Sequence, residues 1–141
     1  MISLTLLFLG SFWEASMDIV AFPQNYKKSF WEKIANYFDQ KGHTFFGQKF
    51  WDHRVAWRNK YKNQDPKQGP RFFGSNTFLV PFMDGWHLIK IMWILHLLSA
   101  IIFYRAITEY LLLDVLILYV VFCTGHELFF KLNNLNYFKN E

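Results

Sequence analysis

Three runs of about twenty or more mostly apolar residues constrain this chain before anything else does. They cover residues 2–22, about 77–104 and about 106–131. At 1.5 Å per helical residue each can cross a hydrocarbon core about 30 Å thick. Backbone polar groups in lipid must be satisfied within the spanning segment, so the runs read as helices. The predicted fold is therefore all-α: an integral membrane protein with three transmembrane helices, forming a single membrane domain over residues 1–141. Mean hydropathy is only +0.05, because the polar residues are concentrated elsewhere. Arg105 is the one base near the junction of the second and third runs, which predicts a short turn and an antiparallel hairpin. Pro81 is expected in the first turn of the second helix, where a missing N–H costs little. A cleaved signal peptide is the rival reading of the first run. It has no basic segment at its start, and a cut after Ala15 would set Trp13 at a position reserved for small residues, so a retained helix is expected.

The polar residues gather between the first two runs. Residues 23–76 hold eleven Lys and Arg against four Asp and Glu, a net charge of +7. By the positive-inside rule this loop is cytoplasmic, with the N-terminus outside and the C-terminus, carrying Lys131 and Lys139, inside. The same bases suit anionic membrane lipid better than nucleic acid, because they lie between two spans. Within the loop, Phe30, Ile34, Tyr37 and Phe38 recur at helical spacing with Trp31 beside them. This predicts an amphipathic helix over residues 29–38, lying in the membrane interface or packed on the spans. Residues 42–75 show no clean period. An aromatic content of 21% excludes intrinsic disorder, and a single cysteine, Cys123, excludes a disulfide framework or a cysteine-rich zinc module.

Alternating topology brings six ionisable residues to one depth. Glu14 and Asp18 lie near the loop end of the first helix, Asp84 and His87 near the start of the second, and His126 and Glu127 near the end of the third. All six fall roughly 6–13 Å from the same boundary at 1.5 Å per residue. Charged groups at that depth are costly unless paired, hydrated or liganded. Glu14 and Asp18 (i,i+4) share a helix face, as do Asp84 and His87 (i,i+3). Mixed carboxylate and imidazole ligands suit a divalent metal such as zinc, iron or manganese. The expected centre has Glu14, Asp18, Asp84, His87 and His126 as ligands and Glu127 as general base. Arg54, Arg58 and Lys60 would bind an anionic headgroup. Each residue also has a plainer role: Glu14 and Asp18 pairing with Arg54 or Arg58, Asp84 favoured by a helix dipole, Glu127 pairing with Lys131, and the histidines bonded to backbone carbonyls.

Other residues carry weaker signals. His96 lies mid-membrane and suits a hydrogen bond across helices better than a haem. Asp114 is expected to pair with Arg105 or to line a polar cavity. Cys123 reads as an inert small hydrophobe. No phosphate loop, catalytic triad or named metal spacing is present in the sequence.

Two stretches, residues 50–61 (FWDHRVAWRNKY) and 74–87 (GSNTFLVPFMDGWH), resemble short bacterial and phage-associated membrane proteins. In those, a W-[KR]-N-K-[YW] loop precedes a D-x-W-H at the start of a transmembrane helix. The likeness covers about a third of the chain. It implies a small polytopic membrane protein, directs attention to Trp57, Arg58, Asn59, Lys60, Asp84 and His87, and supplies no mechanism. The residues themselves predict a metal-dependent membrane hydrolase acting on a lipid or headgroup phosphate or ester. Two alternatives stand beside it. One is a non-catalytic membrane protein: a subunit of a larger complex, a homo-oligomer or a lipid-interacting scaffold. The other is a small proton or ion pathway.

Overall fold

A computed structural model describes residues 2–43 and 46–133. Helix α1 (Ile2–Ala21) is continuous and apolar, and stops where Phe22 turns extended before Pro23. Pro23 opens the single-turn helix α2 (Pro23–Tyr26). Helix α3 (Phe30–Gln40) follows, with Ser29 as its cap: the Ser29 side chain accepts from the Glu32 amide at 3.2 Å. The Glu32 carboxylate reaches back to accept from the Lys28 amide, a capping box displaced by one residue. Two short helices, α4 (Gln48–Trp51) and α5 (His53–Ala56), lead into 3-10 turns at Trp57–Lys60, Lys62–Gln64 and Pro66–Gln68. Among the described residues the only β-type pairing is an isolated bridge from Tyr61 to Pro70. A last 3-10 turn at Val80–Phe82 precedes helix α6 (Gly85–Ile102), and helix α7 (Leu111–Asn133) ends the described chain.

Helices α1, α6 and α7 are each long and apolar enough to cross a membrane. The all-α class and the three spans are as the sequence predicts, while their limits and packing differ. The second span begins at Gly85, because residues 77–83 fold into turns and Asp84 caps the helix. Pro81 therefore lies in a turn before the helix. The third span starts at Leu111, and the connection from Phe103 to Tyr110 is no tight turn. Asp114, buried in the first turn of α7, reaches back to organise it. Its carboxylate accepts from the amides of Ile107 (2.8 Å) and Thr108 (2.7 Å), the Thr108 hydroxyl (2.7 Å) and the Tyr104 phenol (2.6 Å). Those donors take up the carboxylate, for which the sequence suggests either Arg105 as partner or a polar cavity.

The hairpin expectation also changes. Helices α6 and α7 pack on α1 and scarcely on each other, so α1 is the central element. Its small residues explain this: Gly10, Ser11, Ala15 and Ser16 are buried and let neighbours approach closely. The two serines bond within their own helix, to the carbonyls of Phe8 (2.6 Å) and Phe12 (2.7 Å). His96 packs its Cβ 3.3 Å from where a Cβ on Gly10 would sit. Its Nδ1 lies 2.9 Å from the Met92 carbonyl, one turn back on α6, so it is bonded within its own helix.

The described part of the loop forms a cap over one end of the three helices. The core at this junction joins Ile19 and Val20 of α1, Tyr26, Trp31 and Ala35, Phe50 and Trp51, and Ile89 of α6. The Trp31 and Trp51 rings lie 4.6 Å apart. The amphipathic helix is thus half committed: Trp31 and Ala35 pack inward, while Phe30 and Tyr37 stay exposed. The Tyr26 phenol donates to Gln48 Oε1 at 3.0 Å. Burial first, and the nearby Asp52 carboxylate second, push that phenol above its ordinary value, so it stays neutral as a donor should.

Candidate functional site

The six ionisable residues at one depth resolve into two separate groups. In the first, Asp18 of α1 and His126 of α7 meet, with Oδ2 to Nε2 at 3.1 Å. They line a recess of about 410 Å³ together with Glu14, Phe122, Cys123 and Glu127. Gly125 makes this meeting feasible, because its missing side chain lets α7 close against Ser11 and Phe8 of α1. Glu127 turns away to Lys131 of its own helix at 3.0 Å, with its side chain 62% exposed. The i,i+4 attraction therefore holds the residue expected as general base.

The second group sits where α6 leaves the cap. Asp84 is the buried N-cap of α6, accepting from the His87 amide at 2.9 Å. Both its carboxylate oxygens also lie 2.8 Å from Nδ1 of the His87 ring. A carboxylate there places the proton on Nδ1 and leaves Nε2 as the available nitrogen. The pair lines a cavity of about 390 Å³ with Ala21, Trp51, His53, Ala56, Trp57 and Trp86. Nδ1 of His53 and Nε1 of Trp51 are buried without a hydrogen-bond partner among the described residues.

Glu14, Asp18, Asp84, His87 and His126 therefore do not form one ligand set. Among the described residues no three His, Cys, Asp or Glu side chains are grouped to hold a metal ion. The physical reason is local: Asp84 closes the N-terminus of α6, and Asp18 faces α7. Since α6 and α7 each pack on α1 and scarcely on each other, lying near the same end of the spans does not become proximity.

The three headgroup candidates are also in different situations. Arg54 forks onto Asp52, which caps α5 through the Arg54 amide at 3.0 Å. The guanidinium Nε lies 2.8 and 3.0 Å from the two carboxylate oxygens, and the second nitrogen completes a bidentate pair. This hydrogen bonding holds the Asp52 carboxyl below the usual carboxylate range. Arg58 lies over the Trp57 ring at 5.3 Å, and Lys60 over Tyr61 at 5.6 Å. Neither has a carboxylate partner among the described residues.

A third feature joins Asn59, to which the resemblance directs attention, with residues that the sequence does not single out. Lys49, Asn59, Gln64 and Arg71 line a notch of about 260 Å³ with Phe50, Phe82 and Met83. Asn59 builds it: its carboxamide donates to the Lys49 carbonyl at 2.7 Å and to the Met83 carbonyl at 3.0 Å. The asparagine of the W-R-N-K stretch thus clamps the residue before Asp84, tying both stretches together. Arg71 is held by its amide donating to the Lys60 carbonyl at 2.8 Å. The available signal was the juxtaposition of Arg71 with Phe72 and Phe73, a base followed by interface-seeking aromatics.

The fold and cap define the class: a small helical protein with three helices fit to span a membrane and a basic, aromatic cap at one end. Comparison with protein-family models, with curated proteins and with solved structures gives no match.

Proposed function

We propose that this protein is a multi-pass membrane protein whose basic cap engages anionic lipid headgroups on the cytoplasmic face. The carrying observation is a juxtaposition: a loop of net charge +7 and the turns that follow it present Phe72, Phe73, Phe78 and Phe82 to their surroundings, Phe73 being 89% exposed. Contiguous exposed aromatics beside bases are the composition of a surface that settles at headgroup depth. Each base near an anionic membrane contributes about 1 kcal/mol. Lys49, Arg58, Lys60 and Arg71 have no carboxylate partner among the described residues, so their charge is available to lipid.

A second reading, hydrolysis of a lipid ester or phosphate, is favoured by the Asp84–His87 pair at the mouth of its cavity. A carboxylate-oriented imidazole with Nε2 available is the arrangement a general base needs. This reading does not use the five-residue metal set.

Unfolding in neutral detergent tests the first reading. Added phosphatidylglycerol is expected to raise the melting temperature, equivalent to about 2.7 kcal/mol at a hundredfold excess over its Kd. Phosphatidylcholine is expected to do much less, and the difference should shrink as salt screens the cap. An equal rise with both lipids, unaffected by salt, would contradict the reading.

A further inference from the structure

We propose that the notch between Lys49 and Arg71 is a specific seat for the phosphate of a membrane phospholipid. The proposal rests on the reading that the cap meets anionic lipid, and it names where. The lining holds two cations, two carboxamides and no carboxylate. An anion therefore finds attraction there without a competing acid, and Arg71 can meet two phosphate oxygens with its planar fork. Both Asn59 amide hydrogens are engaged by backbone carbonyls, so Asn59 serves as a wall. Gln64 donates to Asn59 Oδ1 at 3.4 Å, which leaves its second amide hydrogen for a ligand.

The apolar side of the notch selects the source of the phosphate. Phe82 and Met83 line it, and Arg71 runs directly into Phe72 and Phe73. Phe73 and Phe78 pair at 5.9 Å and are exposed together with Phe72 and Phe82. A ligand with its phosphate between the bases would thus leave the cap beside phenyl groups, as acyl chains require. At about 260 Å³ the notch is below the usual size of a pocket for a whole small molecule, which suits a headgroup whose tails remain in the bilayer.

The test uses the full chain in nanodiscs of equal parts phosphatidylglycerol and phosphatidylcholine, followed by mass spectrometry of the lipid retained on the protein. Wild type should retain phosphatidylglycerol preferentially. The double variant Lys49→Gln/Arg71→Gln should lose about tenfold or more of that preference, as expected for two charge-assisted hydrogen-bonding groups. Lys62→Gln/Lys67→Gln removes equal charge from exposed positions of the same cap outside the notch and should retain the preference within about twofold. Unchanged melting of Lys49→Gln/Arg71→Gln without lipid shows that its fold is intact, and both side chains are exposed enough for that. Equal losses in the two double variants would overturn the seat while leaving general attraction standing. Absence of preference in wild type would overturn the underlying reading as well. Displacement of the lipid by millimolar glycerol 3-phosphate would assign the notch to a soluble phosphate and overturn the lipid assignment.

Discussion

Replacing Gly85 with valine is expected to destabilise the junction between cap and spans by about 1–3 kcal/mol, the usual cost of overpacking. A Cβ on Gly85 would overlap the Trp51 indole, lying only 2.7 Å from Cζ3 and 2.9 Å from Cδ2. The indole cannot yield easily. Trp51 is buried, packed against the tilted Trp31 ring and edge-on to Phe50 at 5.1 Å. Gly85 is also the first residue of α6, directly after the Asp84 cap, so displacing it strains the cap hydrogen bond to the His87 amide. The variant should melt earlier in detergent by tryptophan fluorescence. The cause is separable by a double-mutant cycle: Gly85→Ala and Trp51→Leu together should cost less than the sum of the two alone. Strict additivity would show that the close approach is not the source of the loss.

Replacing Gly125 with leucine should cost about 1–3 kcal/mol by the same physics at the other helix pair. A Cβ at Gly125 would overlap the Ser11 hydroxyl and lie 2.9 Å from Phe8 Cδ2. Ser11 is already bonded to the Phe8 carbonyl and fully buried. Helix α7 would have to move off α1, taking His126 from Asp18. Unfolding by sodium dodecyl sulfate titration should show the loss. Cys123→Leu, two residues away on an exposed part of the same helix, should stay within about 0.5 kcal/mol of wild type. Equal effects of the two substitutions would contradict the α1–α7 crossing.

These two glycines mark the boundary of what the sequence reveals. Length and apolarity announce the three spans, because a helix needs about twenty apolar residues to cross lipid whatever its neighbours. The spacing of Phe30, Ile34, Tyr37 and Phe38 announces α3, and in the structure Ser29 and Glu32 fix its start. Asp84 is ambiguous in sequence, since one carboxylate near a helix start serves equally as cap, histidine partner or metal ligand. It does the first two at once, which places it outside a shared centre with Asp18. Because α6 starts at Gly85, the Asp84 carboxylate lies at the helix end and not inside the span. Which end of the spans these residues occupy is legible from residue counting, but azimuth around α1 is not. It depends on which small residues each neighbour selects. The pairing of Asp18 with His126 spans 108 residues and follows from Gly125. Likewise the notch needs Asn59 to bridge Lys49 and Met83, and no periodicity in residues 42–75 points to that clamp. Lys139, expected on the loop side, lies outside the described residues.

The cap's choice of lipid is the property on which the function proposed for it depends. The most direct measurement is native mass spectrometry of the full chain released from membranes of equal phosphatidylglycerol and phosphatidylcholine content. Bound lipid should be strongly enriched in phosphatidylglycerol, with the enrichment declining as salt rises before release. Bound lipid matching the bulk composition at low salt would contradict the proposed function.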